Sequence, residues 1–215
     1  MMFEMRSRLL LLTLLAVGVM AVLPSTALAG LAPGSKGPAV LALQKKLVKL
    51  KYLAPVARNG VYGPRTQQAV MAFQGWRGLT RTGSMDPASF KALSTAGIPA
   101  PWSRDVRHME VHKAKQVLLL IAKGHVVRAI HVSTASPGHV TPNGHFQIYR
   151  KESMSWSVQF KVWLPLASYF TGGYAFHQYP DVPGYPASHG CVRIAKGDAT
   201  FVWYWATMGT RVHVG

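Results

Sequence analysis

Carboxylates are scarce in this chain, with 7 Asp and Glu against 24 Lys and Arg in 215 residues, a formal charge of +17. Such a balance points to a polyanionic partner, either nucleic acid or an anionic cell envelope. Cysteine is nearly absent as well. The single thiol, Cys191, excludes an internal disulfide framework and leaves three readings: buried and inert, paired between chains, or reactive. No apolar run reaches the roughly 20 residues that span a bilayer; the stretch Leu9 to Leu23 stops at 15. What is present is 49% apolar and 14% charged residues, enough for a packed core and incompatible with a disordered tail.

The first residues narrow the choice of partner. Arg6 and Arg8 precede that short apolar run, and Pro24 and Ala27-Leu28-Ala29 follow it, which reads as a secretory signal peptide over 1–29 cleaved after Ala29; the alternative is an uncleaved anchor. A lipoprotein is excluded, because the acylated cysteine would have to stand at the cleavage site. The remaining 186 residues carry 22 basic and 6 acidic side chains, a charge of +16. An exported protein meets wall polymer before DNA, and no Arg-rich recognition element is present, so neither nucleic acid nor stable membrane insertion after cleavage is expected. Anionic wall polymers are the partner that charge implies. The expected location is secreted, in the cell wall or periplasm.

Beyond residue 29 the chain divides at Gly97-Ile98-Pro99-Ala100-Pro101-Trp102, where a Pro-rich stretch interrupts periodic patterns on both sides. Residues 30–98 form one module, 99–102 a linker and 103–215 a second module. In the first, Pro38 suits the first turn of a helix whose Val40, Leu43, Leu47 and Leu50 recur at helical spacing. Thr66 is expected to cap a second helix with Val70 and Phe73 on one face, and Asp86-Pro87 opens a third with Phe90 and Leu93 inward. The reading is a small three-helix bundle.

Three segments of this module, "GPAVLALQKKLVKLKYL", "NGVYGPRTQQAVMAFQ" and "GLTRTGSMDPASFKAL", resemble the helical peptidoglycan-binding repeat of wall enzymes. The likeness rests on Leu43-Gln44, the turn from Gly60 to Thr66 and Phe73-Gln74. Taken as residues alone, these are core and turn positions, which speak for a fold rather than a ligand site.

The second module reads as strands: Val117 to Ile121 and Val126 to Val132 about a Lys123-Gly124 hairpin turn, then Gly144 to Tyr149, Ser157 to Leu164 and Arg211 to Val214. Thr171 to Gly190, rich in Gly, Pro and Tyr, is expected to be a long ordered loop of functional importance. At its end stands Ser188-His189-Gly190-Cys191-Val192-Arg193, with His177 upstream. A cysteine becomes a useful nucleophile when an imidazole takes its proton and positive charge favours the thiolate, and this neighbourhood supplies both. Amide groups around Gly190 and Cys191 are placed to face an oxyanion. Two other readings stand beside catalysis: Cys191 as a core residue, and a zinc site of His177, His189 and Cys191 that lacks a carboxylate base and any metallopeptidase spacing.

The signature "SHGCVRI", preceded by "VSTASPGHVTPNGHFQIYRKE" and "YFTGGYAFHQYPDVPGYPASHGCVR" and followed by "GDATFVWYWATMGTRVHV", resembles the YkuD-type L,D-transpeptidases of bacterial walls. The resemblance covers residues 103–215. It implies an α+β chain: the helical bundle followed by a mostly antiparallel, β-sandwich-like catalytic domain. It also implies that Cys191 attacks, that His177 is the general base with the backbone carbonyl at position 178 as third member, and that His189 and Gly190 shape the oxyanion pocket. Ser188 and Arg193 fall at substrate-binding positions, with turn-holding and a loop-to-sheet hydrogen bond as their respective alternatives. The thiol is then expected to titrate below the free value of about 8.5. Gln178 stands where a small residue commonly follows the base. No cofactor and no metal are implied. The expected activity joins third-position residues of peptidoglycan stem peptides through a thioester; the alternatives are an L,D-carboxypeptidase, with water as acceptor, and a non-catalytic wall-binding protein.

Overall fold

The computed structural model describes residues 30–215, so the signal-peptide expectation for 1–29 lies outside the described residues. The chain folds as α+β: helices first, then a curled nine-stranded sheet closed by one further helix. Among the described residues no helix is long and apolar enough to cross a membrane.

Helix α1 spans Pro38–Lys49, α2 Pro64–Trp76 and α3 Pro87–Ser94, with a 3₁₀ turn at Pro55–Ala57. Each of these three α-helices has proline at its start, where the missing N–H costs nothing. Asp86 caps α3 by accepting from Ser89 N at 2.7 Å. Thr66 caps nothing: α2 begins two residues earlier behind Gly63, and the Thr66 hydroxyl instead accepts from Gln44 Nε2 at 3.0 Å. Gln44 is wholly buried and also holds the Asn59-Gly60 turn, accepting from both amides and donating to Val61 O. Gln74 does the same for the turn before α3, accepting from Gly83 N and donating to Ser84 O. The two motif glutamines are therefore buried braces of the bundle.

The strands are β1 Arg107–His112, β2 Val117–Ala122, β3 His125–Ser133, β4 Gly144–Gln147, β5 Arg150–Ser157, β6 Val162–Thr171, β7 Tyr174–Gln178, β8 Val192–Ile194 and β9 Arg211–Val214; helix α4, Lys196–Trp205, precedes the last. They lie in the order β4-β9-β1-β2-β3-β8-β7-β6-β5. The pairs β1/β9 and β7/β8 are parallel and the rest antiparallel. Curling brings Met109, Leu118, Leu120 and Ile130 of one half against Phe170, Phe176, Val192 and Ile194 of the other in a single core. The Lys123-Gly124 turn has both residues left-handed, φ 51° and 72°, as a two-residue hairpin requires.

Two strand expectations are corrected. Ser157 to Leu164 is not one strand: Ser157 ends β5, residues 158–161 form the bend of the β5–β6 hairpin with Lys161 at φ 51°, and Val162 to Leu164 begin β6; no Gly, Pro or Asn marks the bend, so the apolar residues about it read as continuous. The stretch from Thr171 is not all loop either, because a turn at Gly172-Gly173 leads into β7, which carries His177.

The two parts of the chain pack against each other. Strand β2, an unbroken apolar run, is buried on both faces. Leu118 and Leu120 enter the sandwich core, while Val117, Leu119 and Ile121, with Val126 and Ala129 of β3, share one core with Leu47, Val70 and Phe73 of the helices. Backbone and side-chain bonds cross the same junction: Ala129 N donates to Lys51 O at 2.9 Å, Gln68 Nε2 to Val182 O at 3.2 Å, and Lys115 Nζ to Trp76 O at 3.2 Å. The Pro-rich stretch is strapped down in its turn, Trp102 N and Ser103 N donating to the buried Glu110 carboxylate at 2.9 and 3.0 Å.

Candidate active site

Alternation along β7 and β8 sorts this region into two faces. Phe176, Val192 and Ile194 point into the sandwich core, so Cys191, Arg193 and His177 emerge on the opposite side. Parallel pairing sets His177 beside Arg193 in register. The structure gathers His177, Ser188, His189, Cys191 and Arg193 around one cleft of about 570 Å³, which Arg150, Phe160, Tyr169, Tyr174 and His139 help to line. Gln178 is not among the lining residues, so its bulk does not narrow the passage.

His177 is only 3% exposed. Its Nδ1 lies 2.9 Å from Gln178 O. A carbonyl only accepts, so Nδ1 carries the proton and Nε2 keeps its lone pair. Burial, helped by the Arg193 charge and opposed by that hydrogen bond, holds the imidazole down to about 4. Burial also pushes the Cys191 thiol up from its ordinary value, despite an Ala175 amide and the Arg193 charge that favour the thiolate. This reverses the expected lowering. Both shifts favour the neutral thiol and the neutral imidazole, since burial penalises an ion pair more than one nearby guanidinium repays.

The turn before the thiol is held from two sides. Ser188 is buried; its hydroxyl donates to Cys191 O at 2.6 Å and accepts from Gly190 N at 3.0 Å. Both bonds hold the turn, the alternative considered for Ser188. The Gly190 N–H is thereby engaged by the Ser188 hydroxyl. Thr141 Oγ1 donates to Gly190 O at 2.8 Å. Gly190 has φ +137°, and a Cβ there would meet the Tyr174 ring and, at 2.8 Å, Val140 O. Gly190→Ala should therefore lower acylation of the thiol by about 100-fold or more, as misplacement of the nucleophile does, and reduce the melting temperature by several degrees. Unchanged acylation, read by intact mass, would remove Gly190 from the site.

Sequence reasoning missed what orients His189. Its ring is stacked by Phe160 from the β5–β6 bend (centroids 4.6 Å, 28°) and met edge-on by His139 (4.6 Å, 87°). It also missed Thr141. Neither had a local signal, because both act across long stretches of chain. Arg193 lies over the Tyr179 ring at 4.1 Å and makes no side-chain hydrogen bond to any described residue, so its loop-to-sheet alternative is not seen.

Residues 106–214 match the family model described as L,D-transpeptidase catalytic domain (YkuD), and residues 36–93 match that of a peptidoglycan binding domain. An L,D-transpeptidase from Xylanimonas cellulosilytica is similar at 37% identity and TM-score 0.79, over 86% of this chain and 96% of that one. An L,D-transpeptidase from Stackebrandtia nassauensis shares the fold at 23% identity and TM-score 0.55, over 85% and 93%. No curated protein matches the chain.

Proposed function

This chain belongs to the YkuD L,D-transpeptidase family, and from that premise we propose that it is an exported enzyme cross-linking peptidoglycan stem peptides between third-position residues through a Cys191 thioester. In this reading residues 1–29 direct export to the wall or periplasm, 30–98 hold peptidoglycan, 99–102 connect, and 103–215 catalyse. The basic surface adds attraction to anionic wall polymer.

The observation that carries the reading is His177 fixed by its Nδ1 proton in the cleft that contains the only thiol. The Cys191 sulfur attacks the carbonyl carbon of the donor's third residue while His177 Nε2 takes the thiol proton. The Cys191 amide and His189 steady the oxyanion. Collapse breaks the bond to the terminal D-Ala, whose nitrogen leaves with the proton from His177, and a thioester remains. An acceptor amine then attacks the thioester, gives its proton to His177, and the sulfur departs and regains it. Arg193, over Tyr179 and otherwise unpartnered, is placed to receive a substrate carboxylate. Water in place of the amine would give the carboxypeptidase outcome. Incubation with purified disaccharide-tetrapeptide, with mass spectrometry of protein and products, tests the proposal: an acyl adduct on Cys191 and a cross-linked dimer support it, whereas only trimmed tripeptide would exchange it for the carboxypeptidase.

The pH dependence is set by His177. An imidazole lowered to about 4 stays neutral, and able to accept a proton, down to that value. Acylation should therefore be flat from about pH 5 to 8 and fall only as pH drops through 4. His177→Ala should slow acylation by orders of magnitude and abolish that limb. A limb well above that value would mean that a group other than His177 is the base.

A further inference from the structure

Outside the cleft, the outer face of β4, β9 and β1 carries a concentration of imidazoles that the proposed reaction does not use. Strand register makes the arrangement specific. Parallel pairing sets Glu110 opposite His213, and antiparallel pairing sets His213 opposite His145, so the three form one row across adjacent strands. His108 sits two residues before Glu110 on the same face, while Met109, Val111, Val212 and Val214 on the other face fill the core. One ligating atom from each of His108, Glu110 and His213 lies within 4.8 Å of the others. The His145 ring meets the His213 ring edge-on at 4.5 Å.

We propose that His108, Glu110 and His213 bind a divalent transition cation of borderline softness, zinc above all, with His145 as the fourth ligand. Neutral imidazole nitrogens with one carboxylate oxygen are a favoured zinc set, and three protein ligands with a fourth alongside complete a tetrahedron. Ligand atoms about 2.0–2.1 Å from zinc stand roughly 3.3 Å apart, so the cluster needs only a modest closure. The two members that would move are those with room to do so: His145 is exposed and His213 half-buried, whereas His108 and Glu110 are fixed in the interior.

The cluster is also incomplete on its own. Glu110 Oε1 meets His108 Nε2 at 2.9 Å, yet His108 is wholly buried and its Nδ1 has no hydrogen-bond partner. Neither His213 nor His145 makes a side-chain hydrogen bond to any described residue. Of the three imidazoles, His108 has the buried nitrogen without a partner, while His213 and His145 reach solvent; a cation is a group that would draw all three together. His112 is excluded from the ligand set, since it serves the other carboxylate oxygen at 3.0 Å and lies against Trp102. A cation here would join the C-terminal strand β9 to β1 and β4, and through Glu110 to the strapped segment at Trp102 and Ser103. Its role is a brace.

The test uses the full chain carrying Cys191→Ser, which removes the competing sulfur ligand. Titration with zinc chloride by calorimetry should show one equivalent bound at micromolar or tighter affinity, with a rise in melting temperature. Cobalt(II) in its place should give visible bands of a nitrogen/oxygen site without thiolate charge transfer. His213→Ala should weaken zinc binding by about 100-fold, and the more exposed His145→Ala by about tenfold, each abolishing the zinc-dependent rise in melting temperature. No saturable zinc binding, or binding left unchanged by both substitutions, would overturn the proposal.

Discussion

Replacing Cys191 by alanine should eliminate the acyl adduct and lower turnover by at least about 10³-fold, the order seen when a nucleophile is removed from a cooperating set. Melting should be almost unaffected. Cys191 is half-buried at the margin of a small cluster of Leu164, Ala167, Tyr169 and Ala175, so losing its sulfur opens the cleft rather than a cavity in the main core. Cys191→Ser should be nearly as inactive. An imidazole held at about 4 is a weak base; it suffices for a thiol but is far too weak to help a hydroxyl, whose proton is much harder to remove. Assay on soluble disaccharide-tetrapeptide with intact-mass detection reads both variants. Transpeptidation above a few per cent in the alanine variant would displace Cys191 from its role.

Removing residues 1–98 should give a protein that does not fold cooperatively, even though a Pro-rich connection reads as a boundary between separable units. The deletion bares Val117, Leu119, Ile121 and Val126 together on one sheet face. Each such side chain contributes about 1.5–3 kcal/mol when buried, and four of them rival the 5–15 kcal/mol by which a typical domain is stable. The exposed patch would also promote aggregation. Residues 99–215 alone should therefore be largely insoluble, or bind a hydrophobic dye and melt without a sharp transition. Leu119→Asp in the full chain should reproduce part of the effect by burying an unpaired carboxylate at the junction. A soluble 99–215 fragment with sharp melting and full activity on soluble stem peptide would show that the shared core is dispensable.

Much of the architecture could be read from residues near one another in the chain. Helical spacing at Val40, Leu43 and Leu47 located α1, Asp86-Pro87 located α3, and Lys123-Gly124 located the first hairpin, because each rests on a period or turn spanning a few residues. The thiol, the two histidines that precede it and the signature around them were legible for the same reason. The unbroken apolar run Val117 to Ile121 held a further signal, since a strand facing water on one side alternates and this one does not.

The remainder was decided by contacts between distant segments. The β5–β6 bend had no turn residue to announce it, yet it carries Phe160 onto His189. The thiol's upward shift arises from burial, which no sequence window reports. Thr141 reaches Gly190, and Glu110 aligns with His213 and His145, only after strands far apart in the chain are paired in register. Sequence determined what this protein is made of locally: its helices, most of its strands, its single thiol and the family signature that surrounds it. Tertiary structure alone decided that the helices and sheet share one core, that the amide of Gly190 serves the turn, and which histidines meet. Periodicity and turn chemistry act over a few residues, whereas burial, dielectric and cross-strand register exist only once the chain has closed on itself.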